Sequence, residues 1–266
     1  MTRVSTRVWR GILVAFCALV ALWLVAPALV VIPLSFTDKP SFVFPTTGFS
    51  MRWYENFFQD PTWVGSLLAS LRVGLLVVFF ATICGTAAAV ALTRSKFRGQ
   101  QAVRAVLLAP MIAPVIVVAI GVYAIFLRAH LLGTTFGFVV AHTMLALPFV
   151  IIPVTVSLQG FDRRLSSAAA ICGASRWTSF RQITLPLIAP GVVSGAVFAF
   201  VTSFDEVVLA LFIQSPYLQT LPVKMYGSVT RDIDPTIAAA ATLILIFTTV
   251  ITVAVAIYFS RRNHAR

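Results

Sequence analysis

Six long apolar segments, separated by shorter polar stretches, dominate the chain. They cover about residues 11–34, 65–92, 103–127, 134–157, 188–214 and 236–260. Each reaches or exceeds the roughly 20 residues that a helix needs to cross a bilayer. The runs are continuous and lack the alternation of a barrel strand, so the pattern predicts helices. Prolines at positions 27, 110, 114, 148 and 153 fall inside these runs and predict kinks. Gly191 and Gly195 form a GxxxG at the start of the fifth run, a spacing that lets two helices approach closely. Ordinary packing accounts for both features.

Composition supports the same picture. Of 266 residues, 59% are hydrophobic and only 11% are charged. A soluble fold of this length cannot bury so much apolar surface, so lipid must solvate part of it. The length suits one bundle over residues 1–266, without a second globular domain. The first apolar run follows Arg3, Arg7 and Arg10 as a signal peptide's would. It is longer than an h-region of about 7–15 residues, so it reads as a retained first helix.

The net charge of +12 matters here through its distribution rather than through nucleic acid, for which no role is expected. Fourteen of the twenty Lys and Arg fall at the two ends and in the second and fourth connections: Arg3, Arg7, Arg10, Arg94, Lys96, Arg98, Arg104, Arg163, Arg164, Arg176, Arg181, Arg261, Arg262 and Arg266. Lys39, Arg52, Arg128, Lys224 and Arg231 fall on the other side, and Arg72 lies within the second run. Basic residues mark the inner face, so both termini are expected to be cytoplasmic. Asp38, Glu55, Asp60, Asp232 and Asp234 gather outside, with Asp162 inside. Trp53, Tyr54 and Trp63 are expected as interfacial anchors at the outer surface.

One inner connection, about residues 158–187, is neither apolar nor of low complexity. Leu165–Cys172 is helix-forming, Gly173 interrupts it, and Ser175 can cap a second short helix through about Gln182 that Pro186 ends. Trp177, Phe180 and Ile183 recur at intervals of three, giving the second helix an apolar face that fits lipid or a partner's groove.

This loop resembles the EAA loop of the permeases of bacterial ATP-binding-cassette importers. The family pattern is Glu-Ala-Ala, three residues, Gly, nine residues, Ile-x-Leu-Pro. Ala168 and Ala169, Gly173, and Ile183, Leu185 and Pro186 match it at the right spacing, and Ser167 stands where the glutamate would be. The stretches SFDEVVLAL (Ser203–Leu211), TLPVKMY (Thr220–Tyr226) and DPTIAAAATL (Asp234–Leu243) are similar to permeases of polyamine importers. The resemblance implies an all-α, multi-pass protein of the bacterial inner membrane with a type I importer bundle. It implies a second, related permease beside it, two ATPase subunits below and a soluble solute-binding protein outside. Leu165–Pro186 would then be the coupling element, with Ser167, Ala168, Ala169, Gly173, Ala174, Trp177, Phe180, Ile183, Leu185 and Pro186 at the ATPase contact.

The chain has no GxxxxGK[ST] phosphate loop, so ATP is expected to bind to a partner and no cofactor to this chain. Cys17, Cys84 and Cys172 form no CxxC pair, and no metal site is expected. Asp205 and Glu206 stand out inside the fifth apolar run, where an ionised carboxylate costs a few kcal/mol. They either line a path for a cationic substrate or form an internal ion pair, with Arg72 as partner, or lie at a wetted helix end. Adjacent residues on a helix point about 100° apart, so they do not converge on one ligand atom. His142 in the fourth run is expected to hydrogen-bond a neighbouring helix; His130 and His264 have no metal-ligand company.

The function expected is therefore a permease subunit for polyamines or a related cationic amine, with an opine or aminoalkylphosphonate as other solutes. An intramembrane enzyme has little support, since HExxH and GxSxG are missing from the sequence. A self-sufficient transporter or channel would want inverted halves or more buried ionisable groups.

Overall fold

The structure, a computed structural model, describes residues 2–231 and 234–264. Asp232 and Arg266, two of the charges placed above, lie outside the described residues. Among those described, the chain is helical, with one isolated bridge between Ser215 and Leu218. In order the helices are α1 (Thr2–Leu34), α2 (Arg52–Gln59), α3 (Pro61–Arg94), α4 (Gln100–Ile112), α5 (Val115–Arg128), α6 (Thr135–Gln159), α7 (Arg163–Ile171) and α8 (Arg176–Ser179). A π turn (Phe180–Thr184) follows, then α9 (Leu185–Phe204), α10 (Val208–Ile213), α11 (Leu221–Arg231) and α12 (Thr236–His264).

Five helical runs among the described residues are long and apolar enough to cross a membrane: Val8–Leu34, Pro61–Arg94, Thr135–Gln159, Arg176–Phe204 and Thr236–Ala254. The third expected span is not one straight helix. It is the pair α4 and α5, bent by 106°. Ala113 is extended (φ −68°, ψ 140°) because it precedes Pro114, whose ring disfavours a helical conformation one residue earlier. The fifth expected span also differs. Its helix stops at Phe204, and the apolar residues to Gln214 belong to the short α10 and its end.

The chain divides into two compact units. One comprises Met1–Pro61 and Gly227–Val253. In it, the segment after α1 folds back through Ser50 N–H to the Phe36 carbonyl (2.8 Å), and Phe36 stacks on Phe49 at 4.9 Å. Trp53 Nε1–H donates to the Thr37 carbonyl (2.7 Å) and the Tyr54 hydroxyl pairs with Ser35 (2.7 Å). The polar ends of these two rings thus bind backbone and side chain of the protein itself. Asn56 of α2 donates to Thr236 of α12 at 2.8 Å.

The other unit comprises Thr62–Tyr226 and Ala254–Arg266. Its core is built on α3, α6 and α9, whose contact residues are small. A β-carbon on Gly85 would come within 2.7 Å of Val150, one on Gly195 within 2.9 Å of the Val150 Cα, and one on Gly191 within 2.6 Å of the Pro153 carbonyl oxygen. The GxxxG of α9 is therefore the strip against which α6 lies, backbone to backbone. Val77, Ala81, Val150, Val154, Ile188 and Ala199 fill the space around it. Trp63 is buried here with Lys224 5.4 Å from its ring centre, so it is a core residue and not the lipid-facing anchor expected.

Candidate functional site

The segment between α6 and α9 is an elbow held by local hydrogen bonds. Asp162 starts α7 by accepting from the Arg164 N–H at 2.9 Å. Gly173 ends it in the left-handed conformation (φ 83°). Its N–H bonds the Ala170 carbonyl (3.0 Å) and the Ala174 N–H bonds the Ala169 carbonyl (2.9 Å), the paired bonds of a Schellman motif. Ser175 caps α8 by accepting from the Thr178 N–H at 3.1 Å.

Beyond the elbow the sequence expectation fails in an informative way. Pro186 does not end a short helix at about Gln182. Instead α8 runs through the π turn into α9, forming one helical run from Arg176 to Phe204. Proline lacks the N–H that would bond Gln182, and its ring crowds that carbonyl. The wider π turn just before it, with Leu185 N–H bonded to the Phe180 carbonyl, relieves the crowding and lets the helix continue. The second arm of the elbow is thus continuous with a membrane-length helix.

The elbow presents apolar side chains outward. Ile171 is 88% exposed and Trp177 is 68% exposed, and Trp177 stacks on the half-buried Phe180 with centroids 5.8 Å apart. Ser167, Ala168, Gly173 and Pro186 are exposed; Ala169, Ala174, Ile183 and Leu185 are half-buried. Trp177, Phe180 and Ile183 therefore do not share one equally open face. Ile171 was missed by the sequence reading, although it stands two residues before the glycine, at the end of α7.

The acidic pair occupies a helix break, not the middle of a span. After Phe204 the backbone leaves the helix at Asp205 (φ −95°, ψ 0°) and resumes it at Val208. Glu206 Oε1 accepts from the Leu209 N–H at 2.6 Å, and the N–H groups of Val207 and Val208 face the same carboxylate. Glu206 is spent on closing α10. Asp205 is exposed. The ion pair with Arg72 weighed from the sequence is not formed among the described residues.

A second element holds the break. His142 of α6 is 1% exposed, and its Nδ1 lies 3.0 Å from Ser203 Oγ and 3.2 Å from the Ser203 carbonyl oxygen. A carbonyl only accepts, so Nδ1 carries the hydrogen. His142 thus caps the end of α9 from a neighbouring helix, the role expected for it, though its target could not be read from the sequence. Among the described residues, no cluster of three or more His, Cys, Asp or Glu could hold a metal ion.

A helical chain with five membrane-length runs, one of them continuous with an exposed elbow, has the architecture of a membrane transport subunit. The chain belongs to the family described as the binding-protein-dependent transport system inner membrane component, which matches residues 81–264. It is 33% identical to the spermidine/putrescine transport system permease protein PotC of Haemophilus influenzae over 94% of this chain and 97% of that one. It is 33% identical to the putrescine transport system permease protein PotI of Escherichia coli K12, over 84% of this chain and 82% of that one. Its fold is similar to the crystal structure of a bacterial ABC transporter involved in import of the acidic polysaccharide alginate, with a TM-score of 0.68, 15% identity and 96% of both chains covered. The protein is a permease subunit of an ABC importer in the bacterial inner membrane. Its transport depends on a binding protein, and ATP is hydrolysed by separate subunits.

Proposed function

We propose that this permease conducts polyamines such as spermidine and putrescine. The observation that carries the reading is Asp205: an exposed carboxylate at a break in an apolar helix, beside Glu206, whose own carboxylate is engaged by the backbone. Broken helices at membrane depth are where transporters place substrate contacts, because freed backbone and charged groups are tolerated only against a cavity or a partner. A carboxylate there favours a cation. The relatives named for spermidine and putrescine support the same substrate class.

In this reading both termini face the cytoplasm, as the Lys and Arg distribution indicates. The chain pairs with a second, related permease. Two ATPase subunits bind below and receive the elbow, with Ile171 and Trp177 as its apolar contacts. Nucleotide binds only to those subunits, and this chain holds no cofactor of its own. Because α8 continues into α9, a push on the elbow is delivered along the helix that ends at Asp205.

The test is uptake of labelled spermidine by cells carrying the complete transporter with Asp205 or Asn at that position. A tenfold or greater loss with Asn, in complexes that still assemble, supports the reading. Equal uptake removes Asp205 from the path.

A further inference from the structure

Arg94 and the residues it touches carry an inference that the basic pattern alone concealed. Arg94 is the last residue of α3. Its Nη2 donates to Thr184 Oγ1 at 2.8 Å, and its guanidinium carbon lies 5.5 Å from the ring centre of Phe161. Phe161 follows Gly160, where α6 ends, and Thr184 is the last residue of the π turn. One side chain therefore touches both ends of the elbow. Thr184 is fully buried, so its hydroxyl needs a partner, and Arg94 supplies a charged donor.

We propose that Arg94 is a positioning residue that clasps the two ends of the coupling elbow and makes α3 move with it. The proposal rests on the reading of the elbow as the ATPase contact. Without the clasp, a force on α7 and α8 passes into α9 along the continuous helical run, through the π turn. With it, the same force reaches α3 through a charge-assisted hydrogen bond at Thr184 and a cation–π contact at Phe161. A lysine at position 94 keeps the charge and one donor but loses the flat fork that serves both contacts at once.

The native cysteines allow a direct test, since Cys84 lies on α3 and Cys172 in the elbow, both exposed. The complete complex carrying Cys17→Ser is spin-labelled at those two positions and measured at rest and after trapping with ATP and vanadate. The expected result is an unchanged label-to-label distance in the otherwise native chain. Arg94→Ala and Thr184→Val should instead shift or broaden it by about 5 Å, one helical turn, and Thr184→Ser should restore native behaviour. A distance that changes in the native chain, or that stays fixed in both variants, overturns the clasp. Should Arg94→Ala fail to assemble, Thr184→Val decides alone, because it removes only the hydroxyl. The mobility of the Cys172 label tests the underlying reading separately. If trapping leaves that mobility unchanged, the elbow is not the ATPase contact, whatever the distance does.

Discussion

Glu206 and Leu209 form a closed pair: the carboxylate of the first accepts the backbone N–H of the second at 2.6 Å and so caps the short α10. Two adjacent acids thereby acquire different roles. Replacing Glu206 by alanine is expected to cost about 1 kcal/mol of stability, the usual value of a lost cap. It should lower the melting temperature of the purified complex by a few degrees while the KM for substrate moves little. Asp205→Asn should do the reverse, raising the KM for a cationic substrate about tenfold with the melting temperature unchanged. Parallel thermal melts and uptake titrations separate the two. If Asp205→Asn also prevents assembly, its carboxylate is structural.

How far the sequence revealed this can be judged from particular residues. The long apolar runs marked α1, α3, α6 and α12, because lipid requires such runs whatever the tertiary structure. Gly173 and Ser175 marked the elbow, since capping and left-handed turns are local in sequence, while the cap that Asp162 places on α7 was not read. Pro114 marked a kink in the third run but not its size of 106°, and the break at Asp205 was hidden, because apolar residues continue on both sides of it and hydropathy is blind to a bend. The π turn before Pro186 was read as a stop because the proline's effect depends on how the preceding turn adapts. The partnerships of His142 with Ser203 and of Arg94 with Thr184 join residues 61 and 90 positions apart, which no local pattern encodes.

Gly173 should be limited by its backbone rather than by space. Nothing lies within 4 Å of the β-carbon it lacks, yet its φ is +83°. Substitution should therefore impair transport in the order valine, then alanine, then asparagine, with asparagine nearly tolerated because it adopts the left-handed conformation at least cost. Uptake measured across this series, normalised to protein in the membrane, checks the order; a ranking by side-chain size with asparagine as harmful as valine would contradict it.

Gly195 is limited by space. A β-carbon there would lie 2.9 Å from the Val150 Cα, forcing α6 and α9 apart. Gly195→Val is expected to destabilise by about 1–3 kcal/mol. Gly65 has nothing within 4 Å, and Gly65→Ala should be neutral or slightly stabilising. Melting of the two variants side by side makes the comparison.

His142 should act through its donor. His142→Leu leaves the Ser203 carbonyl without its partner from α6 and should cost about 1 kcal/mol, the scale of an interhelical hydrogen bond in a membrane. His142→Asn retains a donor and should cost less. Equal losses in the two variants, read as melting temperatures, would show that ring packing outweighs the bond.

The most direct test of the account is uptake of radiolabelled spermidine and putrescine by cells expressing this chain with its ATPase, partner permease and binding protein. The account predicts uptake that requires both this chain and ATP hydrolysis, and that competing polyamines reduce. A fully assembled, ATP-hydrolysing complex that imports neither compound would contradict the substrate assignment and point to another small organic solute, such as an aminoalkylphosphonate.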